Sequence, residues 1–344
     1  MKNRPEKIID LSKDKEYPLK GYIVLFNTKL GPALGGTRIF NYKDNKSALL
    51  DAKKLSKAMT YKTCIAGLRF GGGKGVIIAD PKSPKLKKLL KNYAYQVKKL
   101  NGKFYTGEDV GLTFNHVQEM LRYSPYFIGK AGQAGDPSEF AALSAYYCIK
   151  WMTQLHLKLK TLKSVSIGIK GVGKTGIELL RLLQKDKARV FYYDIDQSRI
   201  NIVKKKYPKA TYLPLKKFEK YEFTIFAPCA MGNDVNKKNI NQICSKMIIG
   251  TANNQLGDIK LSDKLKLKGI LHVPDYIANA GGVLNVADEL LAGGYKKSRV
   301  LRNISKLKPT LKKVYLSSMN SSESMDRIAN KIVEKTFISK HANT

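Results

Sequence analysis

The chain is poor in the residues that build disulfide frameworks and metal centres. Four cysteines, Cys64, Cys148, Cys229 and Cys244, are scattered without a CxxC pair, which argues against a disulfide scaffold or a zinc ribbon. Each lies in an apolar stretch and reads as an ordinary buried thiol of a reducing cytoplasm. Four histidines stand singly, none paired at i, i+4, so nothing supports a zinc site. No run of about 18 apolar residues occurs, which excludes a membrane-spanning helix. The opening MKNRPEKIIDLSKDK lacks the apolar core of a secretory signal, so a cytoplasmic protein with no membrane partner is expected. Acidic residues are also few, 27 against 63 lysines and arginines, for a net charge of +36. That excess would suit a nucleic-acid binder, but the lysines run along the whole chain. There is no arginine-rich arm and no basic stretch interleaved with aromatics. A lysine-covered surface is expected, with no specific nucleic-acid partner and only salt-sensitive attraction to polyanions. The rest, 43% hydrophobic residues and 27 glycines over 344 positions, fits a globular chain long enough for two domains.

Residues 20–27 (KGYIVLFN) and 35–41 (GGTRIFN) read as strands, and 46–59 as a helix with Ala48, Ala52, Leu55 and Met59 on one face. GGGKGVIIADP (71–81) reads as a Gly-rich turn running into a buried strand. Ser83-Pro84 reads as an N-cap with proline at the first helical position, and KFYTGEDVG (103–111) as a strand ending in acidic residues. Beyond about residue 135 strands and helices alternate, with strands expected at 163–169, 189–193, 222–227, 246–251 and 269–273. That is the pattern of an α/β fold with a parallel, doubly wound sheet.

One glycine loop satisfies two motifs. Gly171, Gly173 and Gly176 make GxGxxG, whereas Gly168 with Lys174 and Thr175 makes GxxxxGK[ST]. In the dinucleotide reading Gly171 makes the turn, Gly173 admits a pyrophosphate and Gly176 lets helix and strand pack closely. Asp194, 23 positions after Gly171 and at the end of VFYYD, would accept from the ribose hydroxyls. A nucleoside-triphosphatase loop would begin at Gly168 and cut short the strand VSIGI, so Asp194 favours the dinucleotide.

Upstream, Lys62 and Lys74 stand 12 residues apart with Gly71–Gly73 before the second. The glycines would bring backbone close to a ligand and leave Lys74 projecting into a cleft. Two convergent lysines would attract a carboxylate and depress each other's pKa. A lysine neutral near pH 8 can serve as a general base or activate water, with Asp109 of GEDVG as its proton-relay partner. For any single lysine in so basic a chain the plain alternative is a solvated surface group; the glycine context speaks against it here.

The segments LGPALGGTRIF (30–40), MTYK (59–62), GLRFGGGKGVIIADP (67–81), GEDVG (107–111), APCA (227–230), ANNQL (252–256) and PDYIANAGGVLNVADEL (274–290) resemble the glutamate/leucine/phenylalanine/valine dehydrogenase family, most of all its leucine dehydrogenase branch. The resemblance runs from about residue 20 to 335 in the family's order. It implies an N-terminal α/β substrate and oligomerisation domain (1–135) and a Rossmann-type NAD-binding domain (136–319), with the active site in the cleft between them. The tail from about 320 to 344 would be a helix able to pack back on the first domain. It implies that Lys62 binds the substrate α-carboxylate beside Gly35 and Gly36, that Lys74 is the catalytic lysine, and that Asp109 assists proton transfer at the amino group. Asn253 or Asn254, together with Asn279, would contact nicotinamide and ribose, and Ala227–Cys229 would line the cofactor. Hydride transfer from Cα would give an imine, which water activated by Lys74 converts to a 2-oxo acid and ammonia.

The resemblance further implies an apolar side-chain pocket of Leu34, Met59, Val283 and Val286, although plain helix core is the alternative for the two valines. Gly107, where alanine is usual, suggests extra depth and keeps a phenylalanine- or valine-type substrate open. Ala141 stands where a threonine is expected, and Lys174 where asparagine is usual; with Arg199 near Asp194, some NADP tolerance stays open. A homo-oligomer, from dimer to octamer, acting on a small amino-acid substrate is implied. The alternative of another class, a non-catalytic nucleotide-binding paralogue, is disfavoured by the retention of Lys62, Lys74 and Asp109.

Overall fold

The computed structural model describes residues 4–339, and its contacts divide the chain into two compact units. The first holds the chain up to Asp136, Val283–Arg299 and the stretch from Val333; the second holds Pro137–Gly282 and Val300–Ile332. Sequence reading had assigned all of 136–319 to one domain. Val283–Arg299 groups with the first unit because Val283 and Ala287 pack there against Leu34, Phe70 and Ile128. Of the expected C-terminal helix, residues 340–344 lie outside the described residues.

The first unit contains β1 (Lys7–Asp10), β2 (Gly21–Asn27), β3 (Ala33–Leu34), β4 (Thr37–Phe40), α1 (Asn45–Ile65), β5 (Gly71–Ile78), α2 (Leu86–Lys99), β6 (Phe104–Tyr105) and α3 (Phe114–Leu121). β5 is the central strand, with β2 antiparallel on one side and β3 and β4 parallel on the other. Its glycines are not a turn. They sit within the strand because each lies under a close neighbour, which is what glycine inside a strand commonly marks. A β-carbon on Gly72 would collide with the Thr60 backbone of α1, and one on Gly73 would stand 2.8 Å from the Phe104 ring. The alternation of strand side chains then puts Lys74 and Val76 on the face covered by α1, with Gly73, Gly75 and Ile77 toward α2.

The strand expected over 35–41 is shorter, β4 over Thr37–Phe40, with Gly35–Gly36 separating it from β3. GEDVG is not a strand; Asp109 makes only an isolated bridge to Leu112. Ser83-Pro84 does not cap α2, whose N-cap Lys85 has no side-chain hydrogen bond. α1 is capped as its sequence suits, the Asp44 carboxylate accepting from the Ser47 N–H and Ser47 returning the bond.

The second unit contains α4 (Ser138–Leu155), β7 (Ser166–Lys170), α5 (Lys174–Lys185), β8 (Arg189–Tyr193), α6 (Gln197–Lys206), β9 (Thr211–Tyr212), α7 (Leu215–Lys220), β10 (Ile225–Pro228), β11 (Met247–Ile248), α8 (Lys260–Leu267), β12 (Leu271–His272), α9 (Asp275–Ala278) and α12 (Leu307–Met319), the chain passing between units within α10 (Ala280–Ala287), α11 (Lys297–Ser305) and α13 (Met325–Ser339). Its sheet is wholly parallel, in the order β12-β11-β10-β7-β8-β9. This is the doubly wound arrangement. The outer strands are shorter than the apolar runs suggest, as only two residues of each find ladder partners. Among the described residues no helix is long and apolar enough to cross a membrane.

The cysteines do not share one environment. Cys148 and Cys229 are buried, Cys64 is half-buried, and Cys244, expected to be buried, is exposed in irregular chain before β11.

Candidate functional site

In the first unit Lys74 is almost fully buried, 2% exposed, and its Nζ donates to Oδ2 of Asp109. The other carboxylate oxygen of Asp109 accepts from the Val110 N–H at 2.7 Å and from Arg38 Nε at 3.0 Å. Arg38 in turn donates from Nη1 to Asp51 of α1 at 2.9 Å, and the Tyr42 hydroxyl donates to the same Asp51 oxygen at 2.5 Å. Burial lowers the Lys74 pKa below the ordinary lysine range; Asp109 opposes that shift, and Arg38 adds to it. Burial alone would raise Asp109, but the Lys74 and Arg38 cations override it and hold its pKa at about 2. Asp109 is therefore a fixed anion, and Lys74 is the group able to exchange a proton. Sequence reading assigned the depression of Lys74 to Lys62; its chief cause is burial, and the cation pressing on it is Arg38.

Gly35 and Gly36 sit directly beside this pair. A β-carbon on Gly36 would strike the Glu108 carbonyl and stand 3.1 Å from Cβ of Asp109, and one on Gly35 would strike the Gly73 carbonyl and stand 3.2 Å from Met59 Cγ. Lys62 is half-buried on the last turn of α1, one turn beyond Met59. Leu34 and Val283 are buried in one apolar cluster with Phe70, Ile128 and Ala287, against which Met59, Tyr105 and Val286 pack. Gly107 adds no depth there. A β-carbon on it would lie 2.8 Å from the Ile128 carbonyl and 3.1 Å from its Cγ1, so Ile128 already fills the space that an alanine methyl would take.

In the second unit the glycine loop follows β7 and opens α5. Gly168 lies inside β7 under the Phe223 ring, so no phosphate loop begins there. Gly171 has φ +99°, and a β-carbon on it would stand 2.7 Å from Ala230 Cβ. Only glycine suits that backbone and that spacing. Gly173 is the N-cap of α5 and provides no side-chain bond, which leaves the first amides of the helix available to an anion. A β-carbon on Gly176 would meet the Gly171 carbonyl and the Cys229 side chain. Asp194, 5% exposed, accepts from the Val172 N–H at 2.7 Å and the Asp196 N–H at 2.9 Å. Arg199 stands 3.8 Å from it. Lys174 is exposed, and the Thr175 hydroxyl bonds that of Thr251 at 2.8 Å. Ala227 lies in β10 with Cys229 just after it, the Cys229 N–H donating to the Lys170 carbonyl at 2.8 Å.

Asn279 donates to Asn253 Oδ1 at 2.9 Å and to the Thr251 carbonyl at 3.1 Å. Its own Oδ1 is buried and has no hydrogen-bond partner. Asn254, by contrast, takes φ 51° in a turn and accepts from the Asn233 N–H through its carbonyl. Of the two asparagines left open by the sequence, Asn253 is the one joined to Asn279.

Two family models match the chain, the Glu/Leu/Phe/Val dehydrogenase dimerisation domain over residues 7–124 and the Glutamate/Leucine/Phenylalanine/Valine dehydrogenase domain over residues 145–337. The chain belongs to this amino-acid dehydrogenase family. It is 37% identical over 327 residues to a phenylalanine dehydrogenase of Lysinibacillus sphaericus, covering 92% of this chain and 85% of that one. It is 36% identical over 304 residues to a leucine dehydrogenase of Bacillus cereus, covering 88% and 82%. The solved L-tryptophan dehydrogenase of Nostoc punctiforme superposes with a TM-score of 0.82 at 31% identity, over 97% of this chain and 95% of that one. The family is NAD(P)-dependent. The second unit of this dehydrogenase fits such a group on three counts: an uncapped helix start after a close-packed glycine turn, a buried carboxylate at the end of β8, and an orphaned acceptor on Asn279.

Arg38, Asp51 and Tyr42 were given no role from sequence. The signal was there in TRIF, where an arginine in the middle of a largely buried strand demands a carboxylate partner. Its partner Asp51 lies on α1 outside the apolar positions used to assign that helix.

Proposed function

We propose that this dehydrogenase catalyses the reversible, NAD-dependent oxidative deamination of an apolar, branched-chain L-amino acid to the 2-oxo acid and ammonia. The observation that carries the proposal is a buried Lys74–Asp109 pair in the same unit as an apolar cluster of Leu34, Phe70, Ile128, Val283 and Ala287. Lys62, with the Gly35–Gly36 backbone, binds the α-carboxylate. Leu34, Met59, Val283 and Val286 receive the side chain; with Ile128 filling the space at Gly107, an aliphatic branch suits the cluster better than a phenyl ring.

NAD, when bound, would supply the acceptor for the hydride leaving Cα. Gly171, Gly173, Lys174, Thr175, Gly176, Ala227 and Cys229 would hold its pyrophosphate, Asp194 its ribose, and Asn253 and Asn279 its nicotinamide end. The Asp194 carboxylate repels a ribose phosphate and so favours NAD over NADP. Lys74, whose pKa burial lowers below the ordinary lysine range, takes the proton of the water that adds to the substrate imine. Asp109 stays ionised and assists proton transfer at the amino group as the fixed counter-ion of Lys74. A homo-oligomer built through the first unit accords with the dimerisation-domain model matched there.

The test is NADH formation with leucine, valine, isoleucine, phenylalanine, tryptophan and glutamate in turn, repeated with NADP. Highest kcat/KM on a branched-chain substrate with NAD is expected. Preference for phenylalanine or tryptophan would move the assignment to an aromatic substrate, and preference for glutamate would refute the apolar pocket.

A further inference from the structure

We infer that Arg38, braced by Asp51, is a positioning residue for the reaction, clamping the Asp109 carboxylate so that one oxygen alone is presented to Lys74. The inference rests on the reading of Lys74 and Asp109 as the reacting groups. Asp109 is carried by irregular chain that backbone bonds tie down, the Leu112 N–H donating to the Asp109 carbonyl and the Ile39 N–H to the Val110 carbonyl, both at 2.9 Å, but these bonds do not fix the rotation of its carboxylate. Its orientation comes from its partners. One oxygen is occupied by the Val110 N–H and Arg38 Nε, leaving Oδ2 for Lys74. Arg38 comes from β4, and its other end is tied to Asp51 of α1, which also accepts the Tyr42 hydroxyl. Three parts of the first unit therefore hold a single carboxylate in place.

The charges make this clamp separable from a merely structural one. Lys74 and Arg38 supply two positive charges, Asp109 and Asp51 two negative ones, so the cluster is neutral while Lys74 is protonated. Without Arg38, two carboxylates surround one lysine, which then holds its proton more tightly. Without Asp51, two cations share one carboxylate, and Lys74 releases its proton more readily. The two substitutions push in opposite directions. The Coulombic influences run the same way, Arg38 lowering Lys74 and Asp51 raising it. On the facing elements β2 places Val24 opposite Lys74, the Tyr42 phenol is held protonated by burial and by Asp51, and Lys62 of α1 is common to every variant compared.

The experiment compares the pH profile of kcat/KM for amino-acid oxidation in the wild type, Arg38→Gln, Arg38→Lys and Asp51→Asn. In Arg38→Gln the rise of activity with pH should move up by about 1 unit, and kcat should fall by about tenfold or more. Arg38→Lys should restore the position of the rise better than it restores kcat, since lysine keeps the charge but not the two-ended reach. In Asp51→Asn the rise should move down. Should Arg38→Gln fail to fold, the downward shift in Asp51→Asn still tests the inference.

The same shifts can be read without turnover, from the pH dependence of Lys74 acetylation measured by mass spectrometry, because only the neutral amine reacts. Rates that fall while neither profile moves, or profiles that move the same way in both variants, would overturn the positioning role. A wild type that turns over no amino acid would refute the proposed function instead, and the acetylation profiles would then decide the role of Arg38 alone.

Discussion

A lysine buried to 2% exposure among strands must be paired or neutral, because an isolated buried ammonium is too costly to keep. Lys74 meets that condition with Asp109, and its lowered pKa follows from the same burial. The sequence pointed to Lys74 and Asp109 through motif resemblance, but not to the reason for their chemistry. The glycines ahead of Lys74 looked like a ligand-hugging turn, yet they are the means by which Asn27 of β2, Thr60 of α1 and Phe104 close on β5. Spacing along a chain cannot tell a backbone that approaches a ligand from one that approaches a helix. Gly72→Ala tests this packing account. Its methyl would meet the Thr60 backbone, which has no rotamer to yield, so a loss of about 3 kcal/mol in denaturant unfolding is expected. A variant as stable as the wild type would show that α1 does not need the contact.

Among the elements, strands and helices of the second unit were legible as types, since apolar β-branched runs alternate with amphipathic stretches. The edge strand β9 was not legible at all, and the two-residue strands β11 and β12 were not legible in extent, because ladder length depends on neighbours. Nor was the network that braces the turn after β11. His272 of β12 is buried between Asp326 at 2.9 Å and Gln255 Oε1 at 3.2 Å. Gln255 in turn donates to the Gly250 and Ala252 carbonyls, next to Asn253. Burial alone would lower the His272 pKa, but Asp326 outweighs it and raises it above the ordinary value. A histidine with a raised folded pKa adds stability that is fully present below its unfolded pKa and is lost as pH rises through the folded one. Asp326→Asn should therefore cost about 2 kcal/mol near pH 5, and progressively less above the raised pKa. A loss that does not vary with pH would show that the histidine is neutral in the fold.

For the molecule as a whole, the net charge of +36 is spread along the chain rather than gathered in one segment. The two-unit organisation was readable in outline from the switch to regular alternation after about residue 135. The grouping of Val283–Arg299 with the first unit was not, because only packing against Leu34 and Ile128 reveals it. That same grouping gives the apolar cluster its valines, and with it the case for an aliphatic substrate.

The most direct test of the central claim is NADH formation from leucine by the wild type and by Lys74→Ala, each shown by circular dichroism to be folded. The account predicts turnover in the wild type and a loss of about a thousandfold or more in the variant. Comparable turnover in the variant would contradict it.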